Sequence, residues 1–205
     1  MQNMTPSIET EIITPGQITK IQENLAAALR KSGVLKESVQ LALQYNGPAI
    51  ISSMVEAVCK CAERFCNVIV RHVTVDPDQK PYDVLKSTGC NLHFIDHLLE
   101  TMPKGNGKKV DIFFFKIGYS VDDTGLEKEY GLRGFKPADP YSLAKVNKDD
   151  PTFAYKHPNC TYWKNDKGKY CSIMFDCWRD GDRDVGVGYS GNSWSGHLWF
   201  AGIRK

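Results

Sequence analysis

Two histidines have the spacing of a metal site. His93 and His97 are four residues apart, so on one face of a helix both imidazoles could reach a single ion. Phe94 stands where a zinc protease of this pattern has its glutamate. The leucines and isoleucine between and beside the histidines favour an amphipathic helix that starts at Asn91, with the histidines on its flanks. We therefore predict no metal at this pair.

The cysteines form no better site. Cys59 and Cys61 would point to different faces of a predicted helix, so they could not easily share an ion. Alternation along a predicted strand places Cys171 and Cys177 on one face with Ile173, which favours core packing over a zinc site that would include His157 and Cys160. Seven cysteines without a signal peptide also argue against a disulfide framework. The sequence thus predicts no metal and no cofactor.

Groups for catalysis are missing from the sequence as well. It has no Gly-x-Ser-x-Gly nucleophile turn, and the adjacent acids Asp122-Asp123 and Asp149-Asp150 are typical of helix starts and turns. Gly186 and Gly188 lack the following helix that a phosphate loop needs. Lysines around the Lys104–Lys109 loop indicate a solvated turn, with an anion or nucleic-acid contact as the alternative. We predict that the protein is not an enzyme.

The composition is typical of a folded globular protein. Its 205 residues are 41% hydrophobic and 24% charged, which suits one domain, with or without a helical appendage. The net charge of +2 and the mixing of signs argue against nucleic acid as a partner. No apolar run approaches the ~20 residues of a membrane span, and the first residues lack the pattern of a signal peptide. We expect a cytoplasmic protein, with association to a virion or a cell surface as the alternative.

The first third of the chain is predicted to be helical. Thr14-Pro15 favours a helix start, Ile18, Ile21 and Leu25 recur at helical spacing, and Ser32-Gly33 favours a stop. Two further helices, about 36–44 and 49–65, are separated by Asn46-Gly47-Pro48. We assign residues 1–66 to this region and predict that it serves assembly or attachment, including a homo-oligomer formed through these helices.

The remainder, 67–205, is predicted to be a mixed α/β domain that ends in an antiparallel sheet. Strong strands are expected at 68–75 and 110–117, with helices at about 81–87, from 91 onward, and at 122–132, 140–146 and 150–155. Antiparallel strands are expected from Tyr162 on, joined by turns such as Asn165-Asp166-Lys167-Gly168. The fold class is therefore α+β.

The segment near the end of the chain has the pattern of a binding face. Alternation places Val185, Val187 and Tyr189 on one face of a strand and small or polar residues on the other. A loop of serine, glycine and asparagine follows, with Trp194 within it as a contact anchor. The expected rigid frame consists of Trp178, Val185, Val187, Trp199, Phe200 and Ile203. The same pattern also fits a surface meander with polar turns.

A resemblance favours the binding interpretation. The stretch Lys136–Asn147, then Asp150–Ala154, His157-Pro158-Asn159 and the ending Trp199–Lys205 resemble a family of uncharacterised proteins from phages and small-genome bacteria. The resemblance covers about 71–205 and leaves out the helical N-terminus. The ending also resembles the variable proteins of diversity-generating retroelements, although it lacks the Gly-Gly-Ser-Trp motif of many of their lectin-type domains.

The resemblance implies a C-type-lectin-like fold, hypervariability before the last strand, and ligand binding without catalysis. The residue types that adenine-directed mutation produces occur at Gly186, Gly188, Ser190, Gly191, Asn192, Ser193, Ser195, Gly196 and His197.

The sequence therefore predicts a binding face within 176–198 for a protein or glycan ligand. The predicted contact residues are Asp176, Arg179, Asp184, Gly186, Gly188, Ser190, Asn192, Ser193, Trp194, Ser195 and His197. The alternative is a phage-encoded inhibitor, or a sponge that sequesters a host protein or a signalling nucleotide.

Overall fold

A computed structural model describes residues 13–105, 109–178 and 181–205, and divides the chain into two compact units, 1–58 and 59–205. The boundary predicted from the sequence lies at 66/67. The first unit holds helix α1 (Pro15–Lys31) and most of α2 (Lys36–Glu63), whose last residues belong to the second unit. Thr14 and Gln17 form the capping box that starts α1. None of the described residues of α1 and α2 is buried.

The predicted break in the helical region is a kink. Asn46, with φ −139° and ψ 17°, leaves the helical conformation inside α2, two residues before Pro48. Proline restricts the backbone around it and removes a helix hydrogen bond, which explains the position of the kink. No helix in the described ranges is long and apolar enough to cross a bilayer.

The second unit is built on a sheet flanked by short helices. Its strands are β1 (Ile69–Thr74), β2 (Asn91–Phe94), β3 (Lys109–Lys116), β4 (Phe135–Pro137), β5 (Asn159–Lys164), β6 (Tyr170–Cys177), β7 (Arg183–Tyr189) and β8 (Trp199–Arg204). Its helices are α3 (Pro81–Lys86), α4 (Asp96–Leu99), α5 (Asp123–Leu132), α6 (Pro140–Asp149) and α7 (Phe153–Lys156). Helices and strands together confirm the α+β class.

The sheet is mixed, which corrects the expectation of an antiparallel end. The strand order is β1-β3-β8-β5-β6-β7-β2. Strand β4 pairs with the last residues of β8, whereas β5 pairs with its first residues. The β5-β6-β7 part is antiparallel as predicted, but β8 runs parallel to β5 and β7 runs parallel to β2. The chain leaves β7 and crosses the sheet to place β8 between β3 and β5. Alternation identifies strands, whereas their partners are chosen by contacts distant in sequence.

One face of the sheet is covered along its length. Helices α3, α4, α6 and α7 pack there on residues such as Ile112, Ile173, Phe175, Val185 and Val187, all buried. Of the predicted stripe of Cys171, Ile173, Phe175 and Cys177, the first three lie in this core, which confirms their assignment to packing. Cys177, at the end of β6, is only half-buried and lies outside it.

The opposite face is covered over only part of its width. There α5, through Leu126 and Tyr130, packs with Trp194 and Leu198 onto β3, β8 and β5. Among the side chains of β6, β7 and β2 on this face, only Tyr170 packs against the second core in the part of the chain described. This uncovered part of the sheet, on the same face as the second core, is the open face.

Two local predictions are wrong, and one strand was missed. Residues 91–94 form strand β2, with α4 starting only at Asp96, because their backbone pairs with β7. Trp178 is 59% exposed and not part of the buried frame, since it lies beyond the end of β6. Residues 135–137 form β4, a short strand that was not predicted, by pairing with β8.

Candidate ligand-binding face

The open face is set by strand alternation. Cys171, Ile173 and Phe175 point to the covered core, so their neighbours on β6 point the other way. Register then aligns these neighbours with β7, and β7 with β2. The open face consists of Ser172, Met174 and Asp176 on β6, Asp184, Gly186 and Gly188 on β7, and Asn91 and His93 on β2.

Two glycines make the middle of this face flat. A Cβ atom at Gly186 or Gly188 would have no atom within 4 Å other than its chain neighbours. Both residues are partly exposed. The glycines therefore do not make room for another part of the same unit, and they leave the backbone of β7 accessible to a partner.

A cleft of about 360 Å³ adjoins the face. Ser172, Met174 and Asp176 form its sheet side, and Ser193, Ser195 and His197 form its loop side. Trp194, Leu198 and Cys160, all buried, lie at its base. Hydroxyls, a carboxylate and an imidazole thus surround an apolar floor, which is the mixture that a ligand site needs.

The loop that walls the cleft is held by a carboxylate of α5. Asp123 Oδ1 accepts hydrogen bonds from Trp194 Nε1 and from Ser190 Oγ, each at 2.7 Å. The backbones of Trp194 and Val121 exchange two further hydrogen bonds of 2.7 and 3.1 Å. The loop is therefore fixed in the middle, and its serines and His197 are displayed from a rigid base.

Gly196 has a different role from the open glycines. A Cβ atom there would lie 2.4 Å from the backbone nitrogen of Tyr119, and the Gly118 amide donates to the Gly196 carbonyl at 3.2 Å. No side chain fits without a shift of one of these backbones. Gly196 belongs to the support of the loop, so the expectation that it tolerates variation is wrong.

Asp184 is the best-satisfied charge of the open face. Its carboxylate accepts hydrogen bonds from Trp178 Nε1 at 2.6 Å and Asn91 Nδ2 at 3.1 Å, and His93 Nε2 lies 3.5 Å away. The Trp178 hydrogen bond, supported by Asn91 and His93, holds the pKa of Asp184 below its ordinary value against an opposing effect of burial. The group is therefore ionised at neutral pH and places a negative charge beside Gly186.

The histidine pair is split between two elements. His93 lies on β2 beside Asp184, whereas Nε2 of His97, on α4, lies 2.9 Å from the hydroxyl of Tyr189. Within the described ranges, no three histidine, cysteine, aspartate or glutamate side chains are grouped to hold a metal ion.

One pair on the loop has the residue types of a nucleophile and its base. Ser195 Oγ lies 2.6 Å from His197 Nδ1, two residues along the chain. A working pair of this kind also needs a group that orients the imidazole, and no hydrogen bond to His197 Nε2 occurs in the part of the chain described. Burial raises the pKa of the Cys160 thiol at the cleft base, so it is a poor nucleophile at neutral pH.

The predicted contact residues do not all lie at one place. Asp176, Asp184, Gly186, Gly188, Ser193, Ser195 and His197 lie on the open face or in the cleft. Ser190 also borders the cleft, but its hydroxyl is used to hold the loop. Asn192, at φ 60°, borders a separate hollow with Lys169 and Tyr170. Arg179 lies outside the described residues.

Trp194 is a structural residue, which corrects its prediction as a protruding anchor. It is 5% exposed, because Asp123 and the second core enclose its indole. Prediction from sequence also missed Ser172, Met174, Asn91 and His93 as members of the face. The stripe of buried residues on β6 could have indicated Ser172 and Met174, but nothing local indicated that β2 lies beside β7.

Comparisons with known protein families, curated proteins and solved structures gave no match to this chain.

Proposed function

We propose that this chain is a non-catalytic binding protein whose open face and adjoining cleft contact a protein or glycan ligand. The observation that carries the proposal is the uncovered half of the sheet, with Gly186 and Gly188 in open space beside the cleft. In a folded unit, a sheet face that no helix covers is available to a partner, and glycine lets that partner approach the backbone.

The chemistry of the face suits a polar ligand with an apolar part. Asp176 and the serine hydroxyls offer hydrogen bonds to sugar hydroxyls or peptide groups, while Met174 and the exposed Trp178 offer apolar area. Loop residues that are small and polar, on a base fixed by Asp123, favour adaptable recognition.

The finer part of the proposal is that the chain is a variable protein of a diversity-generating retroelement, with a C-type-lectin-like fold. It is supported by the resemblance of the ending and by the placement of small residues where side chains could change without strain. Gly186, Gly188 and Gly191 have open space around them. The test is a near-copy of the C-terminal coding segment beside a reverse transcriptase gene.

If such a copy exists, the surroundings of each loop residue predict which codons should differ between the copy and the gene. Adenine differences should fall at the codons of residues that face the cleft or open space, namely 186, 188, 191, 193, 195 and 197. The codons of Trp194 and Gly196 should be spared, because the first is core and the second has no room for a side chain. Differences spread evenly over both groups, or the absence of a copy, would contradict the retroelement assignment.

Binding itself is tested with a matched pair of variants. The purified chain is screened on a glycan array and a panel of surface proteins, and any ligand found is titrated against Met174→Arg and Val70→Arg. These residues are 40% and 39% exposed on strands β6 and β1. We expect Met174→Arg to weaken binding at least about tenfold, as at an interface centre, and Val70→Arg to leave it unchanged. Equal effects of both variants would contradict the proposed face.

A further inference from the structure

A second cleft, of about 460 Å³, lies between the end of α2, the end of β3 and helix α5. All of its lining residues belong to the 59–205 unit and none to the face described above. Four cationic side chains and two carboxylates line it, so positive charge is in excess. Three of these cations, Arg64, Lys116 and Arg133, give the cleft its chemical character.

Arg133 is a buried arginine with an unused donor. It is 8% exposed, and its guanidinium lies over the ring of Phe115 at 4.6 Å. One terminal nitrogen donates to Glu129, but the buried Nε has no hydrogen-bond partner in the part of the chain described. A buried N–H group without an acceptor is unfavourable. Arg133 therefore has a donor that no acceptor in the described part of the unit satisfies.

The carboxylate beside Arg133 is already occupied. Glu129 accepts from Arg133 and, at 2.9 Å, from the hydroxyl of Tyr119. Burial raises the pKa of Glu129, but these hydrogen bonds and the charges of Arg133 and Arg64 outweigh it and lower the pKa overall. Arg64 and Arg133, which both line the cleft, therefore both favour the charged form of Glu129.

Two cations of the cleft have no carboxylate of their own. Arg64 is half-buried and Lys116 is exposed at the end of β3, and neither forms a salt bridge within the described ranges. The ring of Tyr119, 57% exposed, lines the same cleft. Two guanidinium groups, an ammonium group and an accessible ring leave a space that favours an anion.

We propose that this cleft binds the phosphate group of a small phosphorylated molecule, with Arg64 and Arg133 as paired donors and Lys116 as a point charge. Guanidinium groups match the geometry of phosphate oxygens, and a partly buried position reduces the screening of the charges by salt. The site is independent of the proposed ligand face, since the two share no lining residue.

The test is calorimetric titration of the full chain with inorganic phosphate, and then with adenosine monophosphate, at low ionic strength. We expect saturable binding at one site, weakened about tenfold in Arg64→Gln and in Lys116→Gln, since each loses a charge-assisted contact. Lys167→Gln, in the exposed β5–β6 turn, removes the same charge elsewhere and should leave binding unchanged.

Tighter binding of adenosine monophosphate than of inorganic phosphate would support a role for the Tyr119 ring. Equal affinities would support a site for the phosphate group alone. No saturable binding, or equal weakening in Lys167→Gln, would overturn the proposal. If a variant fails to fold, amide shifts of the unaltered chain decide: phosphate should move Gly118 and Tyr119 and not Gly186. Met174→Arg should retain phosphate binding, which separates this site from the ligand face.

Discussion

Two glycines near the end of the chain show how differently one residue type can be used. Gly188 faces open space on β7, whereas Gly196 lies against the backbone of Tyr119. We expect Gly196→Ala to lower the free energy of unfolding by about 1–3 kcal/mol, the usual range for overpacking. Gly188→Ala should change it by less than about 0.5 kcal/mol. Urea unfolding of both variants measures the difference.

The two variants serve as controls for each other, because each adds one methyl group near the same loop. If both lose stability equally, Gly188 does not face open space. If neither does, the close approach at Gly196 is wrong.

The carboxylate of Asp184 gives a prediction in pH. Its pKa in the folded unit lies below the ordinary value of about 3.9, so the ionised form stabilises the fold. That contribution is present above the unfolded-state pKa and is lost as the pH falls through the folded-state pKa. We expect Asp184→Asn to be less stable than the natural chain at pH 7, with the difference disappearing below about pH 4.

Urea unfolding between pH 7 and pH 3 measures this difference, with Asp166→Asn in the exposed β5–β6 turn as the control. A difference that grew on acidification would mean that the hydrogen bonds to Asp184 do not favour its charged form.

Alternation in the sequence predicted the outward residues of β7 correctly, but Trp194 was wrongly predicted to be an exposed contact residue. Alternation along β7 was sufficient to turn Gly186 and Gly188 outward, because strand geometry is local. The burial of Trp194 depends on Asp123, 71 residues earlier in the chain, and on Val121. No local pattern contains such a partner, so a tryptophan among small polar residues has the same local pattern as an exposed contact residue.

At the scale of elements, α5 and the 190–198 loop stabilise each other through one carboxylate. We expect Trp194→Phe, which keeps a buried ring and loses the bond to Asp123, to cost about 1.5–3 kcal/mol, as for a hydrogen bond to a charged group. Trp194→Ala should cost about 3–5 kcal/mol, since it also empties the base of the cleft.

Hydrogen exchange at the amides of 190–198 should quicken in both variants, while exchange in β1 stays unchanged. Tyr155→Phe, an exposed aromatic residue on α7, is the control. Unaltered exchange in the loop would show that Asp123 does not hold it.

The elements that the sequence predicted well are those with their own start signals. Thr14, Asp122 and Asp139 cap α1, α5 and α6 at the predicted residues. Asn91 offers a similar signal, but α4 begins only after Ile95, without a side-chain cap, and the apolar spacing of 91–94 fits a helix as well as a strand. Pairing with β7 decided the outcome, and pairing is not visible in a short segment.

At the scale of the whole molecule, the two units differ in the apolar area that they bury. The 59–205 unit holds both cores, while no described residue of 13–58 is buried. We expect a chain of residues 59–205 to keep its fold, with a Tm within a few degrees of the full chain. Thermal unfolding followed by near-ultraviolet circular dichroism checks this, and loss of the aromatic signal would contradict it.

The exposed stripe of α1 allows a test of the predicted homo-oligomer. Ile18, Ile21, Leu25 and Leu29 are each 37–44% exposed and recur at helical spacing. We expect Ile21→Asp to reduce the mass of the full chain in sedimentation equilibrium, and Lys20→Asp, on the neighbouring polar side, to leave it unchanged. A monomer at all concentrations would exclude assembly through this stripe.

The α+β class followed from the sequence because it needs only the kinds of elements present. The order of the strands did not, since β8 could have extended the β5-β6-β7 hairpins as readily as it joined β3. Contacts such as Phe115 with Phe200 decide between these arrangements, and each involves residues far apart in the chain.

The central position of β8 has a consequence for synthesis. Strands β3 and β5 meet only through β8, so most of the sheet can be made on the ribosome and still lack the strand that joins its two halves. A chain interrupted before Trp199 would leave the edges of β3 and β5 unpaired, and such edges are prone to aggregation or degradation. The 190–198 loop is made immediately before the residues that complete the sheet, so the loop and the completed fold are produced together.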